Sequence, residues 1–385
     1  MTDLATCEAH LADLVAFPTV SSDSNLAMIG HLADRLDHAG ARCRIMIDDS
    51  GTKANLFATI GPDISGGIVL SGHTDVVPVT EQEWSTDPFA LTEADGLLYA
   101  RGSCDMKGFI AACMALAPLY AQGTLRRPVH FCFTHDEEVG CLGARALVSE
   151  MSGWDIRPAL AIIGEPTSMR VIDGHKGCCE YTTSFHGLAG HGSNPGLGVS
   201  ATEYAARFVA RLLDLRGELA ARAPHDSRFE PPGSTLQVGG LRGGIAHNVI
   251  ADHAEVDWEL RPVNPEDQAF AIGEMRDYCN DVLLPAMKSV HEGSKIETRT
   301  IGEVVGLTPC DANEAAEIAQ ALTGANGSDV VPFGTEAGLF QSIGMDAVVC
   351  GPGDIAQAHK PDEFIARDQL SACLAMLHGL DAHLR

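Results

Sequence analysis

The stretch GIVLSGHTDVVPV, residues 67–79, begins as an apolar, β-branched run and then breaks. A short apolar run with no polar alternation is what a strand buried on both faces requires. At Ser71-Gly72 the run stops and presents His73, Thr74 and Asp75 before turning apolar again. An imidazole and a carboxylate two residues apart are either polar residues meeting water at a strand end or part of a ligand group. Further donors at similar places in the chain would decide for the second.

Outward from this strand the same texture repeats. Residues 3–17 and 25–40 carry the apolar spacing of amphipathic helices, and CRIMI and NLFATI read as strands. DMKGFIAACMALAPLYAQG is a helix that starts after Asp105 and stops at Gly123. RPVHFCFT (127–134) is a strand, GARALVSEM a helix and PALAIIG (158–164) another buried strand. This alternation predicts an α/β fold, a mostly parallel sheet with helices on both faces. Near residue 176 the pattern changes. CCEYTTSFHG alternates in polarity, as a sheet with one wet face does, and opens a βαββαβ unit that closes at SKIETRTIG. The α/β texture then returns with ANEAAEIAQALTG and MDAVVCG. The predicted organisation is an α/β domain over 1–176 and 304–385, interrupted by a smaller α+β domain over 177–303.

Composition narrows the function. The 385 residues, 45% hydrophobic and 20% charged, are enough for more than one globular core. A formal charge of −26 argues against nucleic acid or an anionic membrane as partner, since both repel an acidic surface. No apolar run reaches the length of a membrane span, and the acidic, helical start MTDLATCEAH lacks the basic region of a signal peptide. Twelve cysteines with no C-x-x-C spacing fit reduced thiols, and the expected location is cytoplasmic.

The acids and histidines that follow the core strands supply the missing partners. His73 and Asp75 follow 67–71, Asp105 opens a helix, Glu137 and Glu138 follow 127–134, Glu165 follows 158–164, and His359 lies beyond 346–350. Steps of about thirty residues match one strand-helix unit each, so the same sheet edge receives them all. Carboxylates crowded there need positive charge to stay ionised. Five donors, His73, Asp105, Glu138, Glu165 and His359, suit two divalent ions with Asp105 bridging. Imidazole with carboxylate favours zinc, with cobalt or manganese as substitutes. Asp75 is placed behind His73, accepting its second N–H. Glu137, beside a ligand but turned away by strand alternation, is the expected general base for hydrolysis.

SGHTDVVPV, ARGSCDMKG, DEEVG, GEPT, AGHGSNP and AHKPDEF occur in an order that resembles the di-zinc aminoacylase and exopeptidase family, over nearly the whole chain. The resemblance implies the same metal ligands, with Asp75 behind them and Glu137 as proton shuttle. It implies that the inserted domain is a lid and homodimerisation domain. It also implies that His191 stabilises the tetrahedral oxyanion in the partner subunit's site. Arg261 and Asn248 match positions that hold substrate; the competing readings are a strand-edge salt bridge and a loop hydrogen bond. Glu336, in FGTEAG, is expected to face the far end of the substrate, where its charge would favour an ammonium group. Phrases such as IIGEPTSMRVIDGHKG and GPGDIAQAHKPDEF point within the family to removal of acetate from N-acetyl-L-ornithine. Desuccinylase, general aminoacylase and dipeptidase activities are the alternatives. A catalytically silent metal-binding protein is the alternative of another class, although such a protein would have no need of Glu137. A two-metal phosphatase would need a basic cluster beside the acids.

Overall fold

The computed structural model describes residues 3–385. Contacts divide the chain into two compact units. One runs to Gly174 and resumes over Pro309–Val330 and Thr335–Arg385; the other comprises His175–Thr308 with Val331–Gly334. The second unit extends a few residues beyond the expected 177–303 because His175 pairs with Leu307 across an isolated bridge, and it reclaims 331–334.

The first unit is built on an eight-stranded sheet. Its order is Arg42–Ile47, Ala54–Ile60, Val129–Thr134, Ile68–His73, Leu160–Pro166, Asp346–Gly351, Ile172–His175, Asp329–Val331. The strands from Val129–Thr134 to Asp346–Gly351 are parallel to one another, and Ile68–His73 lies between two of them. It is buried along its whole length, which is why the sequence there shows no polar alternation. The outer strands depart from the parallel pattern. Arg42–Ile47 pairs antiparallel with Ala54–Ile60 because residues 48–53 are too few for a crossover connection.

Parallel pairing in register aligns the strand ends. His73 sits opposite Thr134, and Ser71 opposite Ile163, so the chain leaves three neighbouring strands on the same edge. The helix Gly108–Tyr120 is buried on almost every side and packs against Asp3–Val15 and Arg367–Leu384. Its composition is accordingly apolar all round. Phe109, Phe131 and Phe133 are fully buried in this core, each contributing about 1.5–3 kcal/mol by burial. Gly164, the residue before Glu165, has no room for a side chain: a Cβ there would lie 1.9 Å from the Phe109 ring. A further hairpin, Thr92–Ala94 with Leu97–Tyr99, turns through Asp95 and Gly96 at φ 52° and 80° and pairs with Phe364–Ala366. The Asp-Gly pair is a strong hairpin signal, and the sequence analysis passed over it.

The second unit is a four-stranded antiparallel sheet in the order Thr235–Gly243, His253–Arg261, Cys178–His186, Lys295–Val304. The helices Ala201–Ala221 and Pro265–Tyr278 complete the βαββαβ pattern. The side chains of Ser200 and Asn264 cap their first turns. Burial alternates along His253–Arg261, placing Val256, Trp258 and Leu260 in the core with Phe185 and Phe208. The indole N–H of Trp258 donates to Thr183 Oγ1 at 3.0 Å, so this large ring is buried without an orphaned donor.

Candidate metal centre

Each donor owes its place to a strand end or to the turn behind one. His73 closes Ile68–His73 and is 1% exposed. Its Nδ1 donates to the Asp75 carbonyl at 2.9 Å. A carbonyl only accepts, so the neutral ring carries its proton on Nδ1 and leaves the Nε2 lone pair free for a metal. Asp105 lies in the tight turn Ser103–Lys107, with φ −121° and ψ 92°, and is followed by a cis peptide bond. Glu138 follows Val129–Thr134, and Glu165 lies near the end of Leu160–Pro166. His359 stands in the loop after Asp346–Gly351 with φ 62°, a left-handed conformation that an L side chain adopts only when its surroundings impose it.

These side chains converge. His73 Nε2 is 3.0 Å from Asp105 Oδ1 and 3.7 Å from Glu165 Oε1. His359 Nε2 is 3.3 Å from Asp105 Oδ2 and 3.1 Å from Glu138 Oε1. The two oxygens of Asp105 are thus divided, one towards each imidazole, and each imidazole has its own terminal glutamate. Donor atoms of His73, Asp105 and Glu138 lie within 4.8 Å of one another, as do those of His73, Glu137 and Glu165. Glu165 Oε1 is a buried oxygen with no hydrogen-bond partner among the described residues. A buried acceptor left unpaired beside an imidazole is costly, and a cation would satisfy it. An all-nitrogen-and-oxygen donor set with a dividing carboxylate fits a pair of divalent ions such as zinc.

The electrostatics describe a cluster built for added positive charge. Burial pushes the Glu137 carboxyl up to about 8, with Glu138 and Asp105 adding to it against the pull of His73. Burial and Asp105 likewise raise Glu138, and raise Glu165 far more. Asp105 resists its own burial through hydrogen bonds from His359 and His73, and lies below the usual carboxylate range. Those bonds, with Glu138, push His359 up to about 10. Protons stand where cations would otherwise balance the acids.

Asp75 does more than the sequence implies. The nearest contact from His73 Nδ1 is to the Asp75 carbonyl; the carboxylate Oδ1 is 3.6 Å away. That carboxylate accepts the backbone N–H groups of Glu137 at 3.0 Å and Glu138 at 3.3 Å, and the Ser21 hydroxyl at 2.7 Å. One buried acid therefore holds the segment that carries both the expected base and a ligand. Glu137 itself receives the Cys141 thiol at 3.4 Å. Cys104 is turned away from the cluster, its thiol towards the Asp354 carbonyl.

Glu336 requires a correction. It is fully buried at the start of the short helix Ala337–Ser342, and its two oxygens accept hydrogen bonds from the Ser71 and Thr134 hydroxyls. A carboxylate closed in on both oxygens beneath a core strand cannot face the far end of a substrate. It braces the strands that carry His73 and Glu137 instead.

His191, Asn248 and Arg261 belong to the second unit. His191 is exposed on a two-residue strand paired with Val249–Ile250, its Nδ1 2.8 Å from the Ser193 hydroxyl. The Gly192 N–H donates to the Asn248 carbonyl at 2.7 Å, so His191 and Asn248 occupy one loop pair. Arg261 ends the strand His253–Arg261; its Nε donates to Glu259 and its Nη1 to the Pro332 carbonyl at 3.2 Å. The supports of the cluster carry no sequence signal of their own. Glu363 accepts the N–H of Cys104 at 2.9 Å and of Asp105 at 3.1 Å, and Arg101 pairs with Glu363 at 2.6 Å. Both stand inside the motifs ARGSCDMKG and AHKPDEF, so the only signal was the motif, without a partner to interpret it.

The chain is similar to proteins of known family and fold. The family model for Peptidase family M20/M25/M40 matches residues 69–380. The acetylornithine deacetylase of Myxococcus xanthus is 37% identical, the alignment covering 99% of this chain and 98% of that protein. The acetylornithine deacetylase of Shigella sonnei is 34% identical, covering 91% of each. Among solved structures, an M20 family metallo-carboxypeptidase from Sulfolobus solfataricus shares the fold with a TM-score of 0.74 at 17% identity, over 97% of this chain and 98% of that one.

Proposed function

The chain belongs to peptidase family M20/M25/M40, and from that premise we propose that it is a zinc-dependent amide hydrolase that converts N-acetyl-L-ornithine and water to L-ornithine and acetate, in the synthesis of arginine. The chemistry is carried by one observation, the division of the Asp105 oxygens between His73 with Glu165 and His359 with Glu138. The substrate class rests on the two near-full-length relatives named for this deacetylation.

His73, Asp105 and Glu165 would hold one ion, and Asp105, Glu138 and His359 the other. When bound, such a pair lowers the pKa of water to about 7 and polarises the scissile carbonyl. Glu137 takes the proton from the attacking water and hands it to the departing amine, so that the C–N bond breaks to a neutral amino group. Its burial suits this task, because a carboxylate freed from solvent is a stronger base than one in water. Asp75 keeps Glu137 and Glu138 in register by holding both backbone N–H groups. His191 donates to the oxyanion as charge develops there, and Arg261 with Asn248 holds the α-carboxylate. The second unit serves as lid and homodimer contact, and the enzyme works in the cytoplasm. With Glu336 withdrawn from the substrate, no carboxylate is assigned to the δ-ammonium.

The test combines metal analysis with a panel of acetylated, succinylated and dipeptide substrates. The expected result is two equivalents of zinc per chain, with acetylornithine turnover lost to a chelator and restored by zinc. Full activity after complete demetallation would refute the chemistry, and a stronger rate on succinylated substrates or dipeptides would refute the substrate.

A further inference from the structure

Arg101 is 1% exposed and paired with Glu363, itself 1% exposed. A buried ion pair is a poor source of stability, because the desolvation of both charges cancels most of their attraction. Its contacts indicate another purpose. Glu363 Oε2 accepts from Arg101 Nη1 at 2.6 Å, while Oε1 holds the backbone N–H groups of Cys104 and Asp105. Arg101 Nη1 also reaches the Lys360 carbonyl at 3.3 Å, and Nη2 reaches Gln82 Oε1 at 2.6 Å. Gln82 Nε2 in turn donates to the His359 carbonyl at 3.0 Å. The guanidinium lies over the Trp84 ring, 5.0 Å from its centroid, and the Trp84 N–H also binds Gln82. Nearby, the Ser85 N–H and hydroxyl both donate to Asp362 at 2.8 Å, strapping the same two loops together.

His359 needs such support. Among the donors of the cluster it is the one whose side chain is half exposed, 51% against 9% or less for Asp105, Glu138 and Glu165, and it has a left-handed φ of 62°. Little packing holds it from the outside.

We infer that Arg101 and Gln82 are positioning residues that join the turn of Asp105 to the loop of His359, so that the His359, Glu138 and Asp105 site is formed before its ion arrives. The inference rests on the proposed metal pair. Only a planar fork serves here. Arg101 engages Glu363, the Lys360 carbonyl and Gln82 together, which the compact ammonium of a lysine cannot do. Among the five donors Gln82 touches His359 alone, whereas its link to Asp105 runs only through Arg101 and Glu363. Loss of Gln82 should therefore weaken one ion and spare the other.

Isothermal titration of the demetallated full-length protein with zinc alone tests this. The wild type is expected to bind two ions. Gln82→Ala should raise the Kd of the weaker ion about 10–100-fold, the range typical of groups that orient a metal ligand, and leave the tighter ion unchanged. Gln82→Glu keeps the acceptor for Arg101 but loses the donor to His359, and should behave like Gln82→Ala. Arg101→Lys also loosens Glu363, which holds the Asp105 shared by both ions, and should weaken both; the two Gln82 variants, on a partly exposed side chain, decide the selectivity. Two ions bound by the Gln82 variants with unchanged affinities, or both weakened alike, would overturn the inference. A wild type that binds fewer than two ions would instead refute the metal pair on which it stands, and the inference with it.

Discussion

Glu137 and Glu138 are neighbours in sequence and unlike in surroundings. Glu138 meets His359 at 3.1 Å, whereas Glu137 meets a thiol and stands within reach of His73 and Glu165. The ligand needs its lone pairs for a cation; the base needs a raised pKa and access to water. Glu137→Gln keeps shape and burial but cannot take a proton. It should lower kcat by about 10²–10⁴-fold with zinc stoichiometry unchanged, as measured by steady-state kinetics beside metal analysis. Loss of zinc in that variant would make Glu137 a ligand. Asp75 shows how far a single residue can be read from its neighbours alone: its place behind His73 is legible from a spacing of two. Its grip on the 137–138 backbone, sixty residues on, is not. Glu336 shows the converse. The motif around it suggested an acid facing the substrate, and only the packing of Ser71 and Thr134 around it revealed a buried brace.

Elements carry these residues, and their tolerances are set by packing. Gly164 lets Phe109 of the helix Gly108–Tyr120 rest directly on the strand that leads to Glu165. Gly164→Ala would drive a methyl group into that ring, so overpacking should cost about 1–3 kcal/mol, read as a lower urea midpoint. The strand Val129–Thr134 contributes a pH dependence of its own. His130 is 5% exposed, stacks on Phe57 and contacts Thr59 Oγ1 at 2.9 Å; burial, with Arg42, lowers its pKa from 6.5 to about 4. Between those values the unfolded chain binds more protons than the folded one, so stability is present above pH 6.5 and falls as pH drops towards 4. At 1.36 kcal/mol per pKa unit the loss is about 3 kcal/mol. Between pH 4 and 7 the unfolding free energy of the wild type should change by about that much more than that of His130→Gln; equal changes would place the titration elsewhere. The α/β alternation was readable because burial on both faces leaves a run of apolar residues. The antiparallel edge and the Asp95-Gly96 hairpin went unread because pairing direction depends on connection length rather than on composition.

For the whole molecule, the chain forms two compact units. The metal cluster lies within the first, and His191, Asn248 and Arg261 lie within the second. The proposed part of His191 in the partner subunit's reaction has a direct test. His191→Ala should lower turnover by about 10²–10³-fold with zinc binding intact. Mixed oligomers of His191→Ala with Glu137→Ala should regain activity, since one combination holds a complete set of groups. Mixtures as inactive as their parents would remove that part.

The α/β order of strands and helices, and the standing of acids and histidines at the ends of core strands, were open to reading in the chain itself. Each depends on local periodicity or on which residues stand at strand ends. Which oxygen of Asp105 turns to which histidine was beyond such reading. So were the enclosure of Glu336, the hold of Asp75 on a distant backbone and the strap from Arg101 to His359. These depend on contacts between segments up to 277 residues apart, and a pattern that repeats every two or four residues carries no information about them.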